Sequence, residues 1–580
     1  MWQYHPPLRD IQFVTEELLN LPAQWAQMPS FAEVDADTAR QVIEEAGKFA
    51  SEVIAPLNAV GDLQGCTLKD GQVTTPNGFR EAYQAFVQAG WPALACDPEV
   101  GGQGLPQSVN AVLHEMLNSA NHAWNMYPGL LHGAYESLLA HATPELRAQY
   151  LPKVVSGEWL STMCLTEAHA GSDLGLLKTR AEPQADGSFR LSGTKIFISG
   201  GEHDLTDNIV HMVLARIADA PAGTKGLSLF LVPKVMPDGT RNTLRCDGLE
   251  KKMGIKGSAT CVMNFEGATG WLVGEANRGL AGMFVMMNAA RLHVGLQGVG
   301  HAESAYQNAL AYAQERVQMR APVREATRQN AEADSIVLHP AVRHNLLRQR
   351  ALLEGGRVLA YETAHLLDLA ERHPDESVRH VAHDEVSLLT PICKAFLTDN
   401  AFASAQAAQQ VYGGHGYIHD HGIEQCVRDS RISRIYEGTN EIQAIDLLVR
   451  KVVADGGVKL GGLITRLQQE LPATELAERV HPWLANWQQA TQQLLQQCKG
   501  DPELPYRVAD DYLRLAGLVL LAQGWVRAEA VAAHASSPFH TAKRETARYY
   551  LDYLLPEAGL CLARIRAGQN PLPQLHPPPP

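Results

Sequence analysis

The stretch Arg428-Asp429-Ser430-Arg431-Ile432-Ser433-Arg434-Ile435-Tyr436-Glu437-Gly438-Thr439-Asn440-Glu441-Ile442-Gln443 organises the reading of this chain. Asn440 and Gln443, three residues apart, have the spacing of a reciprocal helix cap, and Ile442, Ile445, Val449 and Val452 then recur at helical spacing. A helix is expected to begin here, with Glu437 in the turn just ahead of it. The partial positive charge at a helix start favours the ionised carboxylate, whereas a substrate packed over it desolvates the group and raises its pKa. A carboxylate between those two pulls suits general-base chemistry. An isolated glutamate in that place would be no more than an acidic helix start.

Outward from this stretch, residues 283–316, 342–369, 378–412 and 441–453 keep long helical patterns joined by short connections, which predicts a bundle. Upstream, residues 160–166, 189–192, 209–217, 227–232 and 259–265 are short alternating runs punctuated by Gly, Asp and Pro, the pattern of a compact antiparallel β-domain. Before it, Ala39, Val42, Ile43, Ala46, Phe49 and Ala50 share one apolar helical face, and residues 77–91 and 109–140 continue in the same period. Asp455-Gly456-Gly457 and Gly461-Gly462 mark a boundary, beyond which residues 464–471, 476–497, 508–534 and 542–555 read as helices. The expected fold class is mainly α with a central β-domain, an α-β-α architecture plus a C-terminal helical domain. The expected divisions are a leader (1–34), a helical domain (35–159), a β-domain (160–276), a bundle (277–455), a further helical domain (460–570) and a Pro-rich tail (571–580).

A chain of 580 residues exceeds what one core supports, in keeping with several domains. The net charge of −14 argues against nucleic acid or an anionic membrane as main partner. Nine cysteines with no Cys-x-x-Cys fit reduced thiols in a cytoplasmic protein, with peripheral association at the inner membrane left open. The first ten residues have neither the apolar run of a secretory signal nor the Arg-rich pattern of a transit peptide, and the greasiest segments, 283–290 and 516–522, fall short of the ~20 residues of a membrane span.

Ile435-Tyr436-Glu437-Gly438-Thr439-Asn440-Glu441-Ile442-Gln443 closely resembles the segment carrying the catalytic glutamate of flavin-dependent acyl-CoA dehydrogenases. The resemblance implies that Glu437 removes the proton α to a thioester while hydride leaves the β-carbon for flavin N5. It places Thr439 and Glu441 against FAD, and Gly438 and Arg291 beside the substrate. In the family the thioester carbonyl is held by the backbone amide of the glutamate and a ribityl hydroxyl, donors that stabilise developing enolate charge.

Met163 to Asp173 is similar to the family stretch along the flavin ring, with Thr166 at the isoalloxazine and Ser172 at the phosphates. Leu191 to Gly201 resembles the strand on the other flavin face; many relatives have Trp and Thr where this chain has Phe197 and Ser199. Taken alone, Phe197 reads as a core aromatic. Arg316 and Gln318 carry over as contacts to the FAD of a neighbouring subunit, although Met319-Arg320 departs from the usual Phe-Gly. Gln410, Gly413 and Gly414 match the glycine turn over the adenosine diphosphate, where paired glycines let phosphate approach backbone amides. Some relatives carry their glutamate immediately before the arginine of the 288–292 segment; here Ala290 stands there, and no second carboxylate competes with Glu437.

The leader pattern Tyr4-x-Pro6-Pro7-x-Arg9-Asp10-x-x-Phe13 looks like that of a subgroup with an extra C-terminal domain, which includes methylmercaptopropionyl-CoA and bacterial fatty acyl-CoA dehydrogenases. The resemblance implies FAD as cofactor, an acyl-CoA substrate oxidised to the trans-2-enoyl-CoA in fatty-acid β-oxidation, an electron-transfer flavoprotein as acceptor, and a homo-oligomer, dimer favoured. The rival readings are an oxygen-using acyl-CoA oxidase and a non-catalytic flavin-loaded binding protein. His415, His419, Asp420 and His421, and again His380, His383, Asp384 and Glu385, have metal-ligand residue types, but glycines interrupt the first set and the second lies on a charged face, so no metal is expected. The glycine-rich loop 97–104 lacks the preceding strand and the Lys of a phosphate cradle and is read as a turn.

Overall fold

The structure is a computed structural model describing residues 2–324 and 329–575, and the last residues of the expected Pro-rich tail lie outside the described ones. Two compact units divide the chain: one holds Gln3–Pro6 and Asp37–His293, the other Trp2, Pro7–Ala36 and the chain from Val294 on.

In the first unit, the helix Ala36–Lys48 buries Ala39, Ile43 and Ala46, as its apolar spacing requires, and continues as a wider turn over Phe49–Ile54. The expected helix over 109–140 is two, Gln107–Asn125 and Leu131–His141, because Pro128 cannot continue the first. The first is itself kinked at Asn121, where φ is −165° and ψ 92°.

The β-domain strands follow a small hairpin, β1 (Thr67–Lys69) and β2 (Gln72–Thr74). They are β3 (Leu160–Cys164), β4 (Arg180–Pro183), β5 (Phe189–Ser199), β6 (Ile209–Ile217), β7 (Leu227–Pro233), β8 (Leu244–Leu249) and β9 (Thr260–Val273). The sheet is mixed rather than antiparallel: β3 and β4 both run parallel to β6, while β5–β9, β6–β7, β7–β9 and β8–β9 are antiparallel. Alternation identifies a strand but carries no direction, which is why the parallel pairs escaped the sequence. The strands β4, between β6 and β5, and β8, paired with β9, escaped because polar residues and Pro183 or Gly248 interrupt their apolar pattern.

The second unit is helical. Its long helices are Pro340–Arg372 and Glu376–Tyr412, together with the later turns of Gly279–Glu315. Leu504–Ala532, of the C-terminal segment, packs on them at close range: a Cβ on Gly517 would lie 2.3 Å from the Phe396 ring, so the crossing requires a glycine. Leu504–Ala532 is long and apolar enough to cross a membrane, yet 83% of its most apolar window is buried inside the protein, as in a core helix.

The leader is held by charge. Asp10 is buried between Arg357 and Lys543, Arg357 reaches Glu303 at 2.6 Å, and Lys543 reaches Glu354 at 2.8 Å. Burial alone would raise the Asp10 pKa, but the two cations outweigh it and lower it. Beside this cluster Phe13 meets Phe539 edge-on at 5.6 Å and Arg9 lies 4.2 Å above the Phe539 ring. The Arg9-Asp10-x-x-Phe13 pattern thus reads as a clip onto the helix Pro538–Tyr549.

Candidate active site

The stretch 428–443 folds as the helix Ile423–Ser430, a tight turn Arg431–Arg434, a reversal, and the helix Asn440–Ile445. The reversal consists of two consecutive left-handed residues, Glu437 at φ +55° and Gly438 at φ +79°. Glycine takes that conformation freely; for glutamate it costs on the order of 1 kcal/mol and persists only where neighbours impose it.

The neighbours are specific. Gln443 Nε2 donates to the Glu437 carbonyl at 2.8 Å, and Lys394 Nζ donates to the Gly438 carbonyl at 2.8 Å. Lys394 also donates to Asn440 Oδ1 at 2.7 Å, while Asn440 Nδ2 donates to Thr398 Oγ1, Asp399 Oδ1 and the Ala395 carbonyl. On the other side, Ser433 Oγ and the Tyr436 hydroxyl both donate to Gln297 Oε1. Glu437 is half-buried, with its Oε2 shielded from solvent.

Thr439, not Asn440, is the helix cap, its hydroxyl accepting from Ile442 N at 3.4 Å. The expected reciprocal cap between Asn440 and Gln443 is absent because both side chains are spent on the reversal. Beyond Ile445 the helix widens over Asp446–Val453, so Ile445, Val449 and Val452 lie partly on non-α turns. Glu441 is exposed in the first turn, its pKa lowered by the Thr439 hydroxyl and the backbone.

Arg316 is exposed at the end of Gly279–Glu315, and the Gln318 carbonyl accepts from His339 Nε2 at 2.9 Å. Met319, where the family has Phe, is exposed at φ +58°. Gln410 is exposed at the end of Glu376–Tyr412, and Cβ atoms built on Gly413 or Gly414 would meet nothing within 4 Å. Below them the Tyr312 and Tyr412 rings stack at 4.0 Å, with the Tyr312 hydroxyl 2.8 Å from His415 Nδ1. His415 stacks on His421, and His419 pairs with Glu424 at 2.6 Å. In the second histidine set, His380 lies 3.7 Å from Asp384.

The remaining residues lie in the first unit. Thr166 is half-buried just past β3 and its carbonyl accepts from Ile196 N at 2.9 Å, tying the loop to β5. Glu167, the residue after Thr166, and Lys195, the residue before Ile196, form a buried ion pair at 3.0 Å, and Lys195 Nζ also donates to the Leu165 carbonyl at 2.8 Å. Burial would raise the Glu167 pKa, but Lys195 and donors from Thr179 and Lys178 hold it at about 2. Glu167, Ala168, Lys178, Thr179, Thr194 and Ile196 are among the residues that line a cavity of about 220 Å³.

Phe197 is not core. The β5–β9 register shifts between Lys195 and Ile198, and this bulge places Phe197 at φ +60°, with 58% of it exposed, while Ile198 is buried. Ser199 follows, half-buried and paired with Thr260. Ser172 is exposed in the turn that Asp173 caps, and Arg291 is buried one residue after Ala290.

Sequence reading missed Lys394 and Gln297. Lys394 had a signal: it is the lone charge in the run Leu388-Leu389-Thr390-Pro391-Ile392-Cys393-Lys394-Ala395-Phe396-Leu397, and a charge on a buried helix face needs partners.

Residues 36–158, 162–268 and 277–452 match the N-terminal, middle and C-terminal domains of acyl-CoA dehydrogenases, and 449–576 match an acetyl-CoA dehydrogenase C-terminal-like domain. A 3-methylmercaptopropionyl-CoA dehydrogenase of Ruegeria pomeroyi is 43% identical over 97% of this chain and 98% of its own. Among solved structures, Caenorhabditis elegans ACDH-11 in complex with C11-CoA superposes with a TM-score of 0.78, covering 96% of this chain and 92% of that one at 19% identity. The acyl-CoA dehydrogenase of Bacillus anthracis complexed with FAD gives 0.74, covering 93% and 88% at 20% identity. The chain belongs to the acyl-CoA dehydrogenase family. It is an oxidoreductase acting on the CH–CH bond of an acyl-CoA.

Proposed function

We propose that this protein is an FAD-dependent dehydrogenase that converts a saturated acyl-CoA into its trans-2-enoyl-CoA, with Glu437 as the base. The observation that carries the reading is the reversal at 437–438: a half-buried carboxylate on a backbone held in the left-handed region from both carbonyls.

The residues assigned to the cofactor suit it chemically. Phe197 presents an exposed ring, Arg316 an exposed guanidinium, and Gly413-Gly414 an open stretch of backbone that phosphate oxygens can approach. Thr166, Ser172, Ser199, Thr439 and Glu441 add hydroxyl and carboxylate partners, and Gln318 and Gln410 add amides. Bound FAD supplies the two-electron acceptor for the hydride lost from the β-carbon. The protein's own share is to place Glu437 at the α-proton, to hold that proton on its carboxylate, and to offer the Glu437 amide to the thioester oxygen, with Gly438 and Arg291 shaping the acyl side.

The substrate we infer is a short thioether acyl-CoA of the kind in the Ruegeria relative's name, supported by 43% identity over nearly the whole chain. Electrons pass to an electron-transfer flavoprotein, as in β-oxidation, and the protein is a cytoplasmic homodimer. Anaerobic titration of the flavoprotein with 3-methylmercaptopropionyl-CoA, butyryl-CoA and palmitoyl-CoA tests this directly. Bleaching strongest with the first is expected, bleaching by none overturns the activity, and stoichiometric hydrogen peroxide in air makes it an oxidase.

A further inference from the structure

We propose that Lys394 is a positioning residue for Glu437, its buried ammonium clamping the left-handed reversal that presents the carboxylate; this rests on the reading of Glu437 as the base.

Lys394 has 0% exposure, on the face of Glu376–Tyr412 that carries Cys393, Phe396 and Leu397 into the core. An ammonium there is costly unless its protons are bound. Two of them go to the reversal itself, to the Gly438 carbonyl at 2.8 Å and to Asn440 Oδ1 at 2.7 Å. Asn440, so oriented, turns its amide to Thr398 and Asp399 on the same long helix, at 3.0 and 2.8 Å. The residue after the base and the first residue of the following helix are therefore bolted to one rigid element, 41 to 46 residues upstream.

The clamp explains why a non-glycine residue stays at φ +55°. Gln443 holds the Glu437 carbonyl and Lys394 the next one, so the two peptides after the base are fixed in succession. Loss of the ammonium lets 437–438 relax toward ordinary backbone angles, which moves the carboxylate relative to the α-proton and costs rate rather than affinity.

The test uses Lys394→Met and Lys394→Gln as FAD-loaded full-length protein, alongside Glu437→Gln. Lys394→Met is expected to slow anaerobic flavin reduction by acyl-CoA about 10- to 100-fold, the equivalent of one hydrogen bond to a charged group, while the acyl-CoA Kd changes less than about 3-fold. A slowed reduction step at near-constant Kd is the split that misplacement of the base produces and that a collapsed binding site does not. Lys394→Gln, which keeps an amide donor for the Gly438 carbonyl, is expected to recover part of the rate. Where Lys394→Met yields no folded holoenzyme, Lys394→Gln carries the same readouts. A folded variant reducing its flavin within about 2-fold of the parent rate overturns the assignment. Glu437→Gln separates the two claims: if it still bleaches, the base reading itself fails, whereas an inert Glu437→Gln beside a normal Lys394→Met refutes only the clamp.

Discussion

Gln443 Nε2 lies 2.8 Å from the carbonyl oxygen of Glu437, six residues earlier, and this bond crosses the helix start rather than capping it. Gln443 is buried, and replacing it by an apolar residue leaves the Glu437 carbonyl without this donor. Gln443→Leu is expected to lower the rate of anaerobic flavin bleaching about 10-fold, near the 1–1.5 kcal/mol of one buried hydrogen bond. Stopped-flow absorbance under acyl-CoA saturation reads it. An unchanged rate separates the Glu437 carbonyl from catalysis.

Gly438 stands at φ +79°, and a Cβ on it would come 2.8 Å from Gln443 Nε2. Gly438→Ala therefore meets both backbone strain and a clash with the side chain that holds Glu437. A loss of about 1–3 kcal/mol is expected, read as a lower urea midpoint, together with slower bleaching. Gly413→Ala, also at positive φ but in open space, is expected to lose less stability.

Phe197 is exposed on its bulge, so its removal costs the protein little core. Phe197→Ala is expected to leave the urea midpoint of the FAD-free protein within about 0.5 kcal/mol of the parent, as for an ordinary surface substitution, while weakening FAD retention. Flavin fluorescence released on dilution measures the second effect. Equal loss of both would make Phe197 a structural residue.

Asp10 ties the leader to Arg357 and Lys543. Asp10→Asn leaves both cations short of a buried partner and is expected to cost about 3–5 kcal/mol, read by urea titration of the holoenzyme. A neutral result would make the leader dispensable for the stability of its unit.

Glu362 gives the pH dependence a sign. Burial would raise its pKa, but Arg527 and Arg466 outweigh burial and hold it at about 2, against 4.5 for a free glutamate. A folded pKa below the unfolded one means stability fully present above about pH 5 and lost as pH falls toward 2, up to about 3 kcal/mol for this group. Glu362→Gln is expected to be less stable at pH 7 and to show a shallower decline between pH 5 and 3. Glu385 works in the opposite sense, since burial raises its pKa against the pull of Arg466.

The sequence by itself determined the order of helical, β and helical segments, because period-3.6 and period-2 patterns report which side of each element is buried. It also singled out Glu437, since the residues around it form an unusual string. Tertiary structure alone decided three things. The direction of β3 and β4 against β6 depends on pairing across distant segments, which alternation does not encode. The exposure of Phe197 depends on a register shift against β9, a property of two strands and not of one. The hold on Glu437 comes from Lys394, 43 residues away, whose ammonium finds its acceptors only when the long helix lies against the reversal.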